Sequence, residues 1–172
     1  MATWAEFESA APDLAAAAAA RWPGIVALHR GEPVPAGEPA FTIAYLATAR
    51  PDGSPRVHPF CPVLAAGRLC AAIPARSPKG DDLRRDPRCA IHALPGPDDD
   101  ELAIRAVAEE VTDDGGMRAA VHGIAMGSGV GGMAETTASD PLFAFDLVQV
   151  DVGHWVDVGQ PGTRAVRRRW RP

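Results

Sequence analysis

The sequence has no asparagine, one tyrosine (Tyr45) and one lysine (Lys79). Cysteine is scarce too: Cys61, Cys70 and Cys89 are three in number and show no CxxC spacing, which speaks against a zinc ribbon and against a disulfide framework. All three fall in apolar, strand-like segments, where cysteine serves as a small buried hydrophobe. No apolar run approaches the roughly 20 residues of a membrane-spanning helix; the longest run of small apolar residues, Leu14 to Ala20, is far shorter. There is no surplus of positive charge. Lysine plus arginine number 17 against 22 acidic residues, a net charge of -5, which excludes a general nucleic-acid binder. No basic segment precedes an apolar core at the N-terminus, so no secretory signal is expected, and the expected setting is a reducing cytoplasm.

What is present is an ordinary globular composition. The chain has 172 residues, 47% of them hydrophobic and 23% charged, enough for one domain with its own core. Every basic residue except Lys79 is arginine, a bias that suits a GC-rich coding sequence and makes the single lysine conspicuous. Thr3 and Glu6 form a capping-box pattern for a short helix. Pro12 suits the first position of a second, alanine-rich helix running to about Trp22, with Pro23-Gly24 as its stop. Residues 31–39 read as a connecting loop, so that 1–38 form an N-terminal helical extension and 40–172 the main body.

From there the pattern is that of strands. Phe41, Ile43 and Tyr45 lie in one, Pro55 to Val63 in a second and Leu69 to Ile73 in a third, with the strong turn Arg50-Pro51-Asp52-Gly53 between the first two. Lys79 to Arg85 reads as a short helix, with Asp81 and Asp82 favourable in its first turn. Strands follow at Cys89 to Leu94, Glu101 to Val111, Leu142 to Val152 with a continuation to Val158, and Thr163 to Trp170. An acidic loop spans 95–100, and Asp113 or Asp114 could cap a helix over 117–121. Residues 123–139, rich in glycine, serine and threonine, read as a flexible loop. The expected fold class is α+β, mainly antiparallel: a β-barrel of six to eight strands with short flanking helices.

Several segments could carry chemistry. Arg76-Ser77-Pro78-Lys79-Gly80, between a strand and a helix, offers a hydroxyl, an ammonium and a helix start, the groups a phosphate needs; a plain solvated loop is the competing reading. Arg56, His58 and Phe60 share one strand face. They could line a ligand site or form a polar face at a sheet edge, because Pro55 and Pro59 remove ladder donors. Gly127 to Gly132 spells GxGxxG, but no crossover helix fits before the next strand, so a dinucleotide fold is not expected. The histidines His29, His58, His92, His122 and His154 show no metal-ligand spacing, and no GxSxG motif supports a serine hydrolase. The arginine-rich tail from Arg164 to Arg171 reads as a solvated last strand and subunit contact rather than a nucleic-acid arm.

An ordered set of these pieces resembles one family. The run from Ala44 to Pro59, which includes Leu46-Ala47-Thr48 and Pro51-Asp52-Gly53-Ser54-Pro55-Arg56, is followed by Gly67-Arg68-Leu69, Ser77-Pro78-Lys79, Leu83-Arg84-Arg85-Asp86-Pro87-Arg88 and Ala108-Glu109-Glu110-Val111-Thr112-Asp113. Across about residues 40–114 this resembles the pyridoxamine 5′-phosphate oxidase-like, FMN-binding split-barrel family. The resemblance implies a homodimer with flavin in a groove at the subunit interface and a small-molecule substrate, with no nucleic acid or membrane as partner. It places Ser77 and Lys79 on the FMN phosphate, Arg56 on phosphate or ribityl, and backbone groups near Val57, His58, Ile73 and Pro74 at the isoalloxazine edge. Trp155 and an arginine of the tail, Arg169, resemble residues added by the partner subunit. Two departures stand out. Pro78 replaces the arginine of a Ser-Arg-Lys motif, and the C-terminal Arg-x-His of vitamin B6 oxidases is missing. The implied activity is therefore a flavin-dependent oxidoreduction other than pyridoxamine phosphate oxidation, with His58 as a candidate proton donor. A deazaflavin F420-dependent reductase and a non-catalytic flavin- or haem-binding protein are the alternatives.

Overall fold

A computed structural model describes residues 1–95, 100–112, 115–129 and 132–172, without the side chains of 115, 133, 134 and 136. Much of the 95–100 loop, both capping candidates Asp113 and Asp114, and the centre of the GxGxxG motif lie outside the described residues.

Three helices open the chain: α1 (Trp4–Ala10), α2 (Pro12–Ala19) and α3 (Pro23–Arg30). The capping box forms as expected. The Glu6 amide donates to Thr3 Oγ1 at 3.2 Å, and the Thr3 amide donates to Glu6 Oε2 at 2.7 Å. Pro23-Gly24 corrects its expectation, because it opens α3 instead of merely ending α2. Proline suits a first helical position, where no amide is needed, and Gly31 (φ 69°) closes α3 in the left-handed conformation. Gly24 is required by contact: a Cβ there would sit 1.8 Å from the Pro39 carbonyl oxygen.

The body is an antiparallel sheet of β1 (Ala44–Ala49), β2 (Pro55–Phe60), β3 (Val63–Ala65), β4 (Arg68–Ala72), β5 (Arg88–Ala93), β6 (Glu101–Glu110), β7 (Leu142–Val156) and β8 (Arg164–Trp170). Its order is β2-β1-β5-β6-β7-β4-β3, with β8 also on β7. The long strand β7 organises the fold. One side runs along β6, from Glu101 opposite Gly153 to Glu110 opposite Phe143. The other side holds β4 against Leu142 to Phe145 and β8 against Val150 to Val156. The register shifts at Arg105/Ala106, and such a bulge bends the strand pair. This is the α+β split barrel expected from the sequence.

Period-two burial follows from the sequence. In β6, Leu102, Ile104, Ala106 and Ala108 are buried while Arg105 and Glu109 are exposed. The inward residues join Trp4, Phe7 and Trp22 of the N-terminal helices in one hydrophobic cluster. The Phe7 ring stacks 4.9 Å from that of Trp170 on the last strand. Full burial of a large apolar side chain is worth about 2–3 kcal/mol, so the inward faces of α1 to α3 are part of the core beneath the sheet.

Three helices interrupt the strands: α4 (Pro78–Arg85), α5 (Gly115–Gly127) and α6 (Met133–Ser139). The last two correct the expectation of a flexible 123–139 loop. Met117, Val121 and Ala125 fall on one face of α5 and are buried, the first two against Val63, Cys70 and Leu142. The helix expected over 117–121 is thus present and runs on to Gly127, an extension masked in the sequence by the surrounding glycines. Arg118 binds α6 back by donating to the Thr137 and Asp140 carbonyls at 3.1 and 2.8 Å. No helix among the described residues is long and apolar enough to cross a membrane.

Candidate cofactor site

Strand β2 ends the sheet order, bonded to β1 alone. Pro55 and Pro59 explain why it tolerates that edge. Helix α4 lies along it. At one end the Lys79 ammonium donates to the Pro59 carbonyl at 2.9 Å. Toward the hairpin turn, Asp82 is 2% exposed and its Oδ2 accepts from Arg56 Nε at 2.6 Å and from Thr48 Oγ1 at 2.9 Å. Its Oδ1 accepts from Arg85 at 3.1 Å, and Arg85 also donates to the Ala49 carbonyl. Burial pushes the Asp82 carboxyl up, but the bonds from Arg56, Thr48 and Arg85 outweigh it and leave the group below its ordinary value.

Lys79 stands at a cavity of about 460 Å³ lined by Ile43, Phe60, Cys61, Val63 and Pro74, with Thr137 of α6 on the opposite wall. This size suits a small-molecule or cofactor site, of which about 300–1,000 Å³ is typical. Burial lowers the lysine from its ordinary value, with a smaller opposing effect of Cys61. Burial likewise raises the Cys61 thiol, against a smaller pull from Lys79. Cys61 is not a core cysteine as expected; it is half-buried in the wall beyond β2. Cys70 does fit that expectation, while Cys89 is partly buried against the core; burial raises both thiols to about 12.

The sequence-derived candidates separate into groups. Lys79 and Pro74 line the cavity. Ser77 is the N-cap residue of α4, yet its hydroxyl makes no capping bond and has no partner among the described residues. Ile73 is fully buried, and its Cγ2 lies 3.5 Å from where a Gly80 Cβ would stand, so it supports the helix start from below. Arg56 binds Asp82 through Nε, leaving its terminal nitrogens without a partner among the described residues. His58 is half-buried on the same strand, while Val57 is 60% exposed on the opposite face beside Tyr45. Trp155 is not in this cavity. It lines a separate groove of about 830 Å³ with Arg21, Asp100, His154, Thr163 and Arg168. Arg169 is tied to Asp151 at 2.5 Å, and Arg168, one residue earlier, faces the groove.

Two participants were missed from the sequence. Asp82 was legible only as an acid in a first helical turn, and Thr48 only as a strand residue. Their meeting depends on the packing of α4 against β1, which no local pattern encodes.

Lys79 has three donors, one of them used on a carbonyl, and no carboxylate partner among the described residues. With Ser77 beside it and apolar walls behind, the donor set fits a phosphate attached to a flat ring system. No group of His, Cys, Asp and Glu suited to a metal occurs among the described residues.

The site is thus a lysine at a helix start beside an apolar cavity, carried on an antiparallel split barrel. The particular family follows from the sequence: residues 36–159 match the pyridoxamine 5′-phosphate oxidase profile, and the chain belongs to that family. Solved structures share the fold at low identity. ChuZ of Campylobacter jejuni superposes with a TM-score of 0.60 at 14% identity, over 74% of this chain and 55% of that one. A haem-binding protein of Mycobacterium smegmatis gives 0.56 at 21% identity, over 88% and 57%. HutZ, the haem storage protein of Vibrio cholerae, gives 0.53 at 21% identity, over 62% and 81%. The chain thus spans just over half the length of the first two. No curated protein matches the sequence.

Proposed function

We propose that the protein is a flavin-dependent oxidoreductase acting on a small molecule, with the phosphate of FMN, or of its deazaflavin analogue F420, held by Lys79 and Ser77. The observation that carries this reading is Lys79 itself: a half-buried ammonium at the mouth of an apolar cavity, bonded to a carbonyl and to no acid. A bound flavin would supply hydride chemistry, and the chain supplies position and electrostatics. Lys79 and Ser77 orient the phosphate. Phe60, Val63 and Pro74 exclude water from the ring, and His58 stands next to the cavity on β2 as the candidate proton donor. In this reading two chains pair, and the groove of Trp155 and Arg168 from one covers the Lys79 cavity of the other.

Haem is the second reading. It is favoured by the half-buried His58, whose ring has no partner among the described residues and could serve as an axial ligand. The absorption spectrum of the purified protein separates the two, a Soret band standing for haem and flavin bands for the first reading. Fluorescence titration with FMN and with F420, repeated on Lys79→Ala and Ser77→Ala, then tests the site. Unchanged affinity in both variants would sink the phosphate assignment.

A further inference from the structure

A second cationic place lies in the groove between the end of α2 and the hairpin of β7 and β8. The two residues that give it charge, Arg21 and Arg168, fall outside the 36–159 match to the family. Strand alternation puts Arg168 there. It stands opposite Val152 in register, and His154 stands opposite Val166, so these side chains share one face of the ribbon. Val152 and His154 line the same groove. Arg167 and Arg169 take the other face, where Glu101 and Asp151 answer them. Arg168 has no ion pair among the described residues.

Arg21 is held differently. It follows α2, and its side chain is 15% exposed. Its Nη1 reaches Asp100 Oδ2 only at 3.5 Å, longer than an ordinary N–H···O bond. Its Nε is out of water and donates to nothing. A buried donor left unpaired is costly, so this guanidinium is incompletely satisfied. The charge count points the same way. Of the residues that line the groove, Arg21 and Arg168 are cationic and Asp100 is the one acid. Two cations against one carboxylate leave a surplus of one positive charge. It lies beside apolar surface from Ala17, Ala20, Val152 and Val158.

We infer that this groove binds a small monocarboxylate with an apolar body, the carboxylate taken by Arg21 and Arg168 and the body laid on the alanines and valines. The planar guanidinium fork matches a carboxylate, and one such group balances the surplus charge. Where two chains pair as proposed above, the groove closes over the Lys79 cavity of the other chain, and the carboxylate ligand is then the substrate of the flavin. That last step rests on the flavin reading; the carboxylate site itself does not. If Arg21 and Asp100 were a structural tie and nothing more, the groove would show no preference for an anion.

The test uses 2-naphthoate and 2-naphthamide, which share a shape and differ in charge. Both are titrated calorimetrically into the full chain at pH 7.5, as purified and after saturation with FMN. The wild type is expected to bind the carboxylate more than about tenfold tighter than the amide, the worth of one charge-assisted hydrogen bond. Arg21→Gln is expected to remove most of that preference, while the amide and FMN stay within about twofold of their wild-type affinities. Arg168→Gln, at an exposed position, is expected to lower the carboxylate affinity about fivefold, and it decides the question if Arg21→Gln does not fold. Lys79→Ala is expected to keep the preference, which puts the anion in the groove and not in the cavity. Equal affinity for both ligands in the wild type, binding of neither, a carboxylate affinity that a folded arginine variant leaves unchanged, or loss of the preference in Lys79→Ala overturns the inference. A preference kept in a protein that binds no FMN leaves the carboxylate site standing and removes the flavin reading. FMN binding without the preference does the reverse.

Discussion

Two regions of this molecule carry positive charge, and they differ in what faces it. The C-terminal tail has five arginines within residues 164–171, and two of them are answered by acids on their own sheet. Arg167 binds Glu101 at 2.9 Å, Arg169 binds Asp151, and Arg171 donates to Gln149 at 2.9 Å. The start of α4 has one lysine, bonded to a backbone carbonyl and to no acid. Density of charge along the chain is therefore a poor guide to binding. The informative quantity is charge left unpaired in a place that water reaches poorly. The tail is consistent with a structural seam, and the lone lysine with a ligand site.

The sharpest way to break this contrast is Lys79→Ala. Flavin affinity is expected to fall about 50-fold, a charge-assisted hydrogen bond being worth about 1.5–3 kcal/mol, while thermal stability stays within about 0.5 kcal/mol of wild type because the residue lies outside the core. Titration and thermal melting of the same samples check both halves. An unfolded variant would make Lys79 a fold residue and erase the distinction.

Next in size is Asp82→Ala. It strands Arg56 and Arg85, and removing one member of a buried pair typically costs about 3–5 kcal/mol. Because Arg56 is 20% exposed and can turn partly to water, about 3 kcal/mol is expected from denaturant unfolding. The pH dependence has a fixed sign. Asp82 lies below its ordinary value of 3.8 in the folded protein, so its contribution is complete above about pH 4–5 and is lost as pH falls through the lowered folded value. The wild type should therefore lose more stability than Asp82→Asn on acidification below pH 4. Parallel acid curves would show that the carboxylate is unimportant.

These two residues also show what the sequence could disclose. Lys79 was legible because composition isolates it and because Ser77-Pro78-Lys79 sits between a strand and a helix. The strands were legible because burial on one face of a sheet imposes a period of two, visible in β6 and β7. Asp82 was not legible as a clamp, since its partners Thr48 and Arg56 lie on two other strands, 34 and 26 residues away. Helix α6 and the part of α5 beyond the expected 117–121 helix were hidden for a different reason. The glycines within α5 and before α6 lower helix propensity, and in α5 the packing of Met117 and Val121 on the sheet overrides it. Trp155, expected as a residue added by a partner subunit, lies in a groove whose neighbouring arginine is Arg168 and not Arg169, because β8 alternates and Arg169 turns to Asp151.

A smaller effect sharpens the role of that groove. Arg168→Ala is expected to weaken flavin binding about tenfold without loss of stability, since Arg168 has no ion pair among the described residues. If the groove of one chain completes the cavity of another, an equal mixture of Lys79→Ala and Arg168→Ala chains, exchanged into mixed dimers, should regain about a quarter of the wild-type sites, because half the dimers are mixed and each holds one intact pairing. No recovery on mixing would place both residues in a site within one chain.

The smallest effect is expected from Arg167→Ala, and it tests the other half of the contrast. The guanidinium reaches Glu101 across Gly153, where a Cβ would lie 3.3 Å from Arg167 Cγ and 3.2 Å from Glu101 Oε2. The geometry is good, but Arg167 is 60% exposed. An exposed pair gains little Coulomb energy in water and gives up side-chain freedom, so its net worth is about 0.5 kcal/mol or less and shrinks as salt is added. Denaturant unfolding at low and high salt should show that small loss vanish, with flavin affinity unchanged. A loss above about 1.5 kcal/mol that depends on protein concentration would mean that the tail is buried by a second chain. The contrast between a paired seam and an unpaired lysine would then fail on the side of the seam.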